Sequence, residues 1–403
     1  MTTHAQAAPQ IPVFDEDPYA REHLVDPHPL FARMREAGPA VWLARHGVHA
    51  FTRYEVCREI LADHALFVSG AGVGPRDLRR EKAWRTPGIL ETDPPDHTVM
   101  RDAMADVISP RSVRALRAGF EAFAEELADA VVARGRFDAV TDVAEVFPLR
   151  VFGDAVGIPR AGRGENLLAH GAMNFSAFGP DNELHRGHFA AGEGTHAWVM
   201  RNCARESLSD AGLGARIWEH AEAGRLSEEQ ATLLVRAMLS AGLDTTVIAI
   251  GNLLRTLAHD PGQWALLRED PGSIRFAVDE SFRHESPFQS FYRTAARDAR
   301  PGGVPVPAGA KVLLFVGAAN RDPRQWGPDA DAFRVARAAS GHLAFGMGIH
   351  QCVGQPISRL EMEVLLTALV RRIEHLEPAG PETPFVHNTL RGWSSLPVRA
   401  VAG

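Results

Sequence analysis

Cysteine is scarce in this chain, with only Cys57, Cys203 and Cys352 among 403 residues. No Cys-x-x-Cys pair occurs, which argues against a zinc finger, a cysteine-ligated cluster or a disulfide framework. Cys57 lies in a helical pattern and is interpreted as a small core residue, as is Cys203. Of the three, Cys352 alone stands in a pattern that indicates chemistry.

Long apolar runs are also missing. None approaches the ~20 residues that span a bilayer, and residues 1–22 are polar, without the apolar core of a signal peptide. We therefore expect a cytoplasmic protein with no membrane partner. The formal net charge is −7, and this mildly acidic balance gives no reason to expect a nucleic-acid partner.

No Gly-x-Gly-x-x-Gly follows a strand pattern, and no stretch resembles a flavin or iron–sulfur domain. Repeats and low-complexity linkers are absent as well. The chain is 45% hydrophobic and 23% charged, which is typical of an ordinary globular protein. We predict one domain over residues 1–403, in which residues 1–20 form a loose N-terminal arm.

Hydrophobic periodicity predicts a mostly α fold with a small β region. The strongest helical pattern covers residues 227–258 and opens with a capping box of Ser227 and Gln230. Its apolar residues lie almost all round, so this helix should cross the middle of the molecule. Shorter helices are predicted over residues 53–63, 111–134 and 357–372, a hairpin over 41–51, an irregular segment over 68–95 and a strand over 304–316.

Residues 345–354 form the most informative stretch, with the pattern Phe-Gly-x-Gly-x-His-x-Cys-x-Gly. Its glycines allow tight turns and a close approach of the backbone to a flat ligand. Cys352 stands just before an amphipathic helix, whose dipole favours a thiolate. A sulfur held in this way can ligate haem iron and favour O–O cleavage. The alternative, a buried structural cysteine, is weak because six positions of the pattern are fixed.

This loop resembles the haem-binding signature of the cytochrome P450 family. Glu280-x-x-Arg283 is similar to the Glu-x-x-Arg pair of that family, which with Arg337 as the third member would brace the core beneath the haem. The alternative for an isolated Glu-x-x-Arg is a solvated surface pair. The resemblance implies the P450 fold, with haem b between the long central helix and the cysteine-ligand loop. Phe345 and Gly346 would line the haem, and Cys352 would ligate its iron.

The middle of the long helix, residues 241–246, resembles the oxygen-activation motif of the family. By that resemblance Gly242 leaves room for O2, Thr245 hydrogen-bonds the oxygen and Asp244 relays protons. A carboxylate inside an apolar helix is costly unless it has such a role. The alternative is a helix kink stabilised by side-chain to backbone bonds.

Haem propionates require cationic or imidazole donors. The resemblance assigns this part to four basic residues, His97, Arg101, Arg293 and His350. Most histidines in proteins are simply satisfied surface or core residues. The positions of His97 and His350 within family motifs set these two apart.

Within the family, the chain looks most similar to bacterial enzymes that oxidise para-substituted benzoates, notably by demethylating 4-methoxybenzoate. The matching segments are residues 82–85, 174–180, 239–247, 290–294, 319–324 and 388–392. The resemblance implies an aromatic pocket around Phe175, Phe178 and Phe291, completed by Ser240 and Ala241. Arg85 and Arg236 would favour a carboxylate at the far end. The alternative is that Phe175 and Phe178, at i and i+3, are core residues.

Three positions depart from that subfamily. Gly88 and Ala237 stand where hydroxyl side chains are expected, and Phe288 stands where a smaller aliphatic residue is expected, which narrows the cavity. These changes leave the carboxylate requirement and the preferred aromatic open. Alternative functions are a hydroxylase of another small aromatic or natural product, a peroxide-driven peroxygenase and a non-catalytic haem sensor.

The resemblance also implies partners. A monooxygenase of this type uses O2 and two electrons, and the chain has no reductase domain of its own. We therefore expect a separate [2Fe–2S] ferredoxin and an NAD(P)H-dependent ferredoxin reductase. Arg324, Arg359 and Arg371, on the predicted cysteine side, are candidate contacts for an acidic ferredoxin.

Overall fold

Helices dominate the computed structural model, which describes residues 11–402 and has seventeen α-helices and eleven short strands within that range. The predicted fold class, mostly α with a small β region, is confirmed. The division into domains stays a prediction.

The helices are α1 Arg21–Val25, α2 His28–Ala37, α3 Tyr54–Ala62, α4 Asp96–Val107, α5 Pro110–Arg134, α6 Val146–Val156, α7 Arg163–Ser176, α8 Glu183–Ala191, α9 Thr195–Asn202, α10 Leu213–Glu222, α11 Glu228–Ala241, α12 Asp244–His259, α13 Pro261–Glu269, α14 Ile274–Glu285, α15 Val316–Ala319, α16 Pro323–Trp326 and α17 Gln355–Arg372. The strands are β1 Val13–Phe14, β2 Val41–Leu43, β3 Val48–Phe51, β4 Phe67–Val68, β5 Arg136–Asp138, β6 Ser290–Ala295, β7 Lys311–Phe315, β8 Ile373–Pro378, β9 Thr383–Val386, β10 Arg391–Ser395 and β11 Pro397–Ala402.

The strands form three small sheets. One has six strands in the order β1-β2-β3-β7-β6-β4, another has three in the order β5-β11-β8, and β9 pairs with β10. The predicted hairpin is the antiparallel pair β2–β3. The predicted strand over 304–316 narrows to β7, and every residue of its neighbour β6 is buried. Strand β6 therefore crosses the interior and can present side chains to a site.

The loose-arm prediction for residues 1–20 is wrong for residues 11–20. Strand β1 pairs in parallel with β2, and the Tyr19 side chain is buried, with its hydroxyl 3.4 Å from that of Tyr292. Backbone pairing and a buried aromatic ring hold this segment in place. Residues 1–10 lie outside the described residues.

The long central helix is two helices. The capping box at Ser227 and Gln230 is confirmed by two reciprocal hydrogen bonds of 3.1 and 2.8 Å. Helix α11 then ends at Ala241, and α12 begins at Asp244. The prediction of one continuous helix over 227–258 is therefore wrong at residues 242–243. The hydroxyl of Thr245 donates to the Ala241 carbonyl at 3.0 Å across the break, so a side chain takes part in the turn between the two helices.

The segment 228–259 has the length and composition of a membrane span, but 72% of its most apolar window is buried inside the protein. Most of its apolar side chains contribute to a large hydrophobic cluster that also contains residues of α5, α6 and α17. An all-round apolar helix in this setting is a core element. It brings residues 236–246 to the interior, where the site is built.

Candidate haem and substrate site

The cysteine loop is closed by its own backbone. The amide of Cys352 donates to the Phe345 carbonyl at 2.8 Å. Gly346 and Gly348 have φ values of +67° and +71°, which L side chains rarely adopt. A Cβ added at Gly348 would also lie 2.6 Å from the Leu61 carbonyl oxygen. The loop is therefore a rigid turn that ends just before α17, as the sequence indicates.

The thiol of Cys352 differs from the other two. Cys352 is exposed, whereas Cys57 and Cys203 are buried. Burial raises the pKa of Cys203 to about 12 and raises that of Cys57 as well, so both are inert core thiols. Desolvation also raises the pKa of Cys352, but the backbone amides of Gly354 and Gln355 and the Arg101 and Arg359 cations act in the opposite direction.

Four basic side chains predicted for the propionates gather beside this loop. Arg101 donates to the Gln351 carbonyl at 2.6 Å, and the His97 ring packs against that of His350 with centroids 4.3 Å apart. Arg293 is 4% exposed, and the only hydrogen bond of its side chain within residues 11–402 goes to the adjacent Tyr292 carbonyl. None of the four has a salt bridge in that range.

These four side chains carry net positive charge, and one of their buried nitrogen atoms has no hydrogen-bond partner within residues 11–402. Desolvation, and then Arg293, His97 and Arg101, lowers the pKa of His350 to about 3, and its Nε2 is buried without a hydrogen-bond partner. Desolvation lowers the pKa of Arg293 to about 10, so it stays a cation at neutral pH. A thiol on a glycine loop beside four basic groups fits haem b, since a thiolate suits the iron and cations suit two propionates.

Helix α12 contacts α17, the helix that follows the cysteine loop, through a polar contact. The hydroxyl of Thr246 lies 3.0 Å from that of Ser358 on α17, six residues after Cys352. Thr245 and Asp244 therefore start α12 near the cysteine-bearing element. This agrees with the predicted site between helix and loop, although the roles of the two residues stay predictions.

Asp244 occupies a closed apolar space. It is 7% exposed, and neither carboxyl oxygen has a hydrogen-bond partner among the residues that the structure describes. Burial, with a smaller contribution from Glu145, raises the pKa of Asp244 well above its ordinary value. A Cβ added at Gly171 on α7 would lie 1.5 Å from Asp244 Oδ2. The absence of a side chain at Gly171 thus makes the room for the acid, a role that the sequence did not reveal.

The Glu280–Arg283–Arg337 triad is brought together as expected. Arg283 forms a bidentate pair with Glu280 at 2.7 and 2.8 Å, and both side chains are fully buried. Arg337 reaches the same carboxylate at 3.1 Å. Arg283 also donates to the carbonyls of Asn320, Ala330 and Ala332. One cation thereby fixes two segments that precede the cysteine loop, one at Asn320 and one at residues 330–332.

Four phenylalanines predicted for the substrate pocket form a single cluster. Phe288 lies between the others, with centroids 5.3 Å from Phe175, 6.3 Å from Phe178 and 5.5 Å from Phe291. Val73, Ile248 and Leu390 pack around it. The cluster brings α7, β6 and the start of α12 together. It is both packed core and a surface on which a flat ring could lie.

The two arginines predicted to bind a carboxylate differ in their polar contacts within the protein. Arg85 forms a bidentate ion pair with Glu91 at 2.8 and 3.1 Å and also donates to Asn174. The Arg85 guanidinium is thus already paired with a carboxylate of the protein, and its predicted part in binding a substrate carboxylate stays a prediction. Arg236 is 3% exposed, and its side chain has no hydrogen bond or ion pair within residues 11–402. Burial lowers the pKa of Arg236 to about 10, so it is a buried cation at neutral pH.

Ser240 and Ala241 follow Arg236 on α11. The Ser240 hydroxyl lies 3.1 Å from His170 Nε2 on α7. The Ala241 carbonyl accepts the bond from Thr245. His170, Glu91 and Gly171 were all missed by sequence reasoning. His170 and Gly171 contact residues that are 70 or more positions away in the sequence, so no local pattern could have revealed them.

The fold and the site define a haem-thiolate protein, with a cysteine ligand loop, a basic propionate group and a buried acid at a helix break. Comparison with known proteins gives the family. The sequence model of the family described as Cytochrome P450 matches residues 274–399. The chain is 44% identical over 401 residues to Cytochrome p450 CYP199A2 of Rhodopseudomonas palustris, covering 99% of this chain and 97% of that protein.

A more distant relative is the beta-dihydromenaquinone-9 omega-hydroxylase of Mycobacterium bovis, at 32% identity over 95% of this chain and 78% of the relative. Among solved structures, epothilone D-bound cytochrome P450epoK superposes with a TM-score of 0.84 at 26% identity, covering 97% of this chain and all of the other. This chain belongs to the cytochrome P450 family and is a P450 monooxygenase that binds haem b.

Proposed function

We propose that this monooxygenase oxidises a small para-substituted benzoate, with 4-methoxybenzoate and its O-demethylation as the reference reaction. Arg236 carries the proposal, because it is a cation inside the protein without a counter-ion among residues 11–402. Burying an unpaired charge is costly. A substrate carboxylate would remove that cost, so the cation selects for an anionic ring.

The net charge at the arginine end of the pocket, formed by Arg85, Glu91 and Arg236, supports a substrate with one negative charge. Arg85 and Glu91 neutralise each other, which leaves the charge of Arg236. Gly88 lies against this guanidinium, since a Cβ there would be 3.0 Å from its Nη2. A hydroxyl-bearing side chain at residue 88 would therefore crowd the guanidinium of Arg236, and glycine leaves room for it. The carboxylate would rely on Arg236 and Ser240.

The other residues have defined parts in the proposed reaction. Haem b, when bound through Cys352, supplies O2 binding and O–O cleavage. Phe175, Phe178, Phe288 and Phe291 would hold the ring, exclude water and direct the para substituent to the haem. Asp244, held protonated by its apolar surroundings, would deliver protons, and Thr245 would orient them towards the oxygen. Ala241 would line the wall at the helix break.

Electrons would come from a separate [2Fe–2S] ferredoxin and an NAD(P)H-dependent reductase, and the enzyme would work in the cytoplasm. Arg324, Arg359 and Arg371 are weaker docking candidates than expected, since each pairs with an acidic residue: Glu36, Asp279 and Glu125 respectively. Arg114 on α5 lines a groove with Gln355 and Pro356, next to the cysteine loop. It is exposed, without an ion pair in the described part of the chain, so it is the better candidate.

A spin-state titration tests the substrate class. The ferric, haem-loaded protein is titrated with 4-methoxybenzoate and with its uncharged analogue 4-methoxytoluene. We expect the acid to bind at least about 30-fold more tightly, since truncating one partner of a buried charge pair typically costs ~2–5 kcal/mol. Arg236→Met should abolish this preference, while Arg76→Met, at an exposed arginine that is paired with Asp181, should retain it. Equal binding of acid and analogue by the wild type would favour another small aromatic or natural product as substrate.

A further inference from the structure

His170 is a fully buried imidazole with one hydrogen bond. It lies on α7 with 0% exposure, and its Nε2 is 3.1 Å from the Ser240 hydroxyl. Its Nδ1 is buried without a partner. The Trp84 ring meets it edge-on at 6.3 Å, and His196 stacks on it at 5.5 Å. Neither contact satisfies a ring nitrogen, so the bond to Ser240 is the one polar interaction that fixes this side chain.

The protonation of His170 follows from these contacts. Desolvation, followed by His196, Arg85 and Arg236, lowers the pKa of His170 to about 3, so the ring is neutral at physiological pH. A neutral imidazole carries one N–H. On Nδ1 that hydrogen would be an orphaned buried donor, which is rarer than an unsatisfied acceptor. The hydrogen therefore belongs on Nε2, which donates to the Ser240 oxygen.

This direction leaves the hydroxyl hydrogen of Ser240 without a partner. Ser and Thr in helices commonly donate to the carbonyl four residues back, as Thr245 does to Ala241. Ser240 makes no such bond, and within residues 11–402 its hydroxyl contacts only His170. Arg236 and Ser240 are spaced i, i+4 and share one face of α11. An unpaired cation and a free O–H donor thus lie one helical turn apart.

We propose that His170 is a positioning residue for the substrate: by donating to the Ser240 oxygen, it turns the Ser240 hydroxyl towards the carboxylate that Arg236 binds. The inference rests on the proposed function, because it concerns the same acidic substrate. It assigns the two carboxylate oxygens to two donors from α11, one charged and one neutral. It also gives α7 a part in specificity beyond its phenylalanines.

Spin-state titrations of haem-loaded variants test this role. His170→Leu removes the donor, whereas His170→Gln retains an amide N–H. We expect His170→Leu to weaken 4-methoxybenzoate binding about tenfold, as for a lost hydrogen bond to a charged group, and to leave 4-methoxytoluene binding unchanged. His170→Gln should recover most of the loss. Ser240→Ala should show the same tenfold loss, and His170→Leu should add nothing to it.

His196→Phe is the matched control, because it keeps the ring stacked on His170 and removes an imidazole that has no hydrogen bond to Ser240. It should retain acid binding. Equal losses for the acid and its analogue in His170→Leu would overturn the inference in favour of a packing role, as would additive losses with Ser240→Ala. A wild type without acid preference would instead overturn the proposed function. An acid preference that His170→Leu leaves as large as in the wild type would overturn only the role of His170.

Discussion

Asp244 is a carboxylic acid in the interior of the protein, with only 7% of the residue exposed. Within residues 11–402 its carboxyl group has no hydrogen bond and no nearby cation, and the backbone of Gly171 lies against it. A buried carboxyl in this setting avoids the cost of ionisation by keeping its proton. A protonated acid at the start of α12 can donate a proton. The free energy that keeps it protonated is measurable as a pH dependence of the free energy of unfolding.

Replacing Asp244 with Asn should stabilise the protein, and more so at higher pH. The pKa of Asp244 is raised in the folded state, so above about pH 4 the unfolded chain releases a proton that the folded protein keeps. The free energy of unfolding then falls by up to ~1.4 kcal/mol per pH unit until the folded pKa is passed. Thermal midpoints of the haem-loaded wild type and Asp244→Asn should therefore diverge from pH 5 to pH 8. A constant gap would show that Asp244 is ionised in the folded protein.

Gly171 offers a more selective test of the same acid. Gly171→Ala would place a methyl group on the position of the Asp244 carboxyl and displace it. We expect turnover to fall about tenfold or more, since a positioned acid typically contributes ~10²–10⁴, with more hydrogen peroxide released per NADH consumed. Gly164→Ala, also on α7 but with nothing near its Cβ, should keep wild-type coupling. Equal behaviour of the two variants would remove Asp244 from proton delivery.

Some residues could be found from the sequence alone and others could not. Cys352 and its glycines were found because the loop is local and its spacing is fixed. The Glu91 partner of Arg85 is only six residues away, but it lies in a segment without periodicity, where no rule pairs side chains. The partners His170–Ser240 and Gly171–Asp244 join α7 to the central helices, so only the packing of those helices reveals them.

At the scale of elements, the break between α11 and α12 shapes the site. Periodicity predicted one helix because the apolar residues continue in phase through residue 242. At the break, the ring of Phe152 on α6 packs closely against Gly242. A Cβ at Gly242 would lie 2.5 Å from Phe152 Cζ. The close approach of α6 and the side chain of Thr245 decide the local geometry, and neither has a signal in the α11 sequence.

A pair of glycine substitutions measures this packing. Gly242→Ala should lower the free energy of unfolding by ~1–3 kcal/mol, as overpacking does, because the Phe152 ring must move. Gly251→Ala on α12 meets only Val140 Cγ2 at 3.7 Å, which is an ordinary contact. It should raise the free energy of unfolding by ~0.5–1 kcal/mol, the usual gain of Ala over Gly in a helix. Urea unfolding monitored by circular dichroism gives both values. A neutral Gly242→Ala would mean that α6 is not tightly packed on the break.

At the scale of the whole molecule, the two sides of the predicted haem site have different chemistry. The substrate side is lined by phenylalanines and one unpaired cation, and its neighbours are helices α7 and α11. On the cysteine side, α5 and α17 pack together and most arginines are tied to acidic residues. Arg114 stands out there as an exposed charge beside the loop, while the overall charge of the chain is −7. A local positive charge on an acidic protein would orient an acidic electron donor.

This placement predicts a defined salt dependence. With a [2Fe–2S] ferredoxin and its reductase, NADH-coupled turnover at low ferredoxin concentration should fall as ionic strength rises, because screening shortens the reach of surface charges to ~8 Å at 0.15 M. Arg114→Glu should raise the ferredoxin KM about tenfold and flatten the salt dependence, without changing the spin-state shift by substrate. Arg225→Glu makes the same change of charge at an exposed position between α10 and α11, so it controls for net charge. If both variants raise the KM equally, overall charge governs the encounter and the cysteine-side groove has no special part in it.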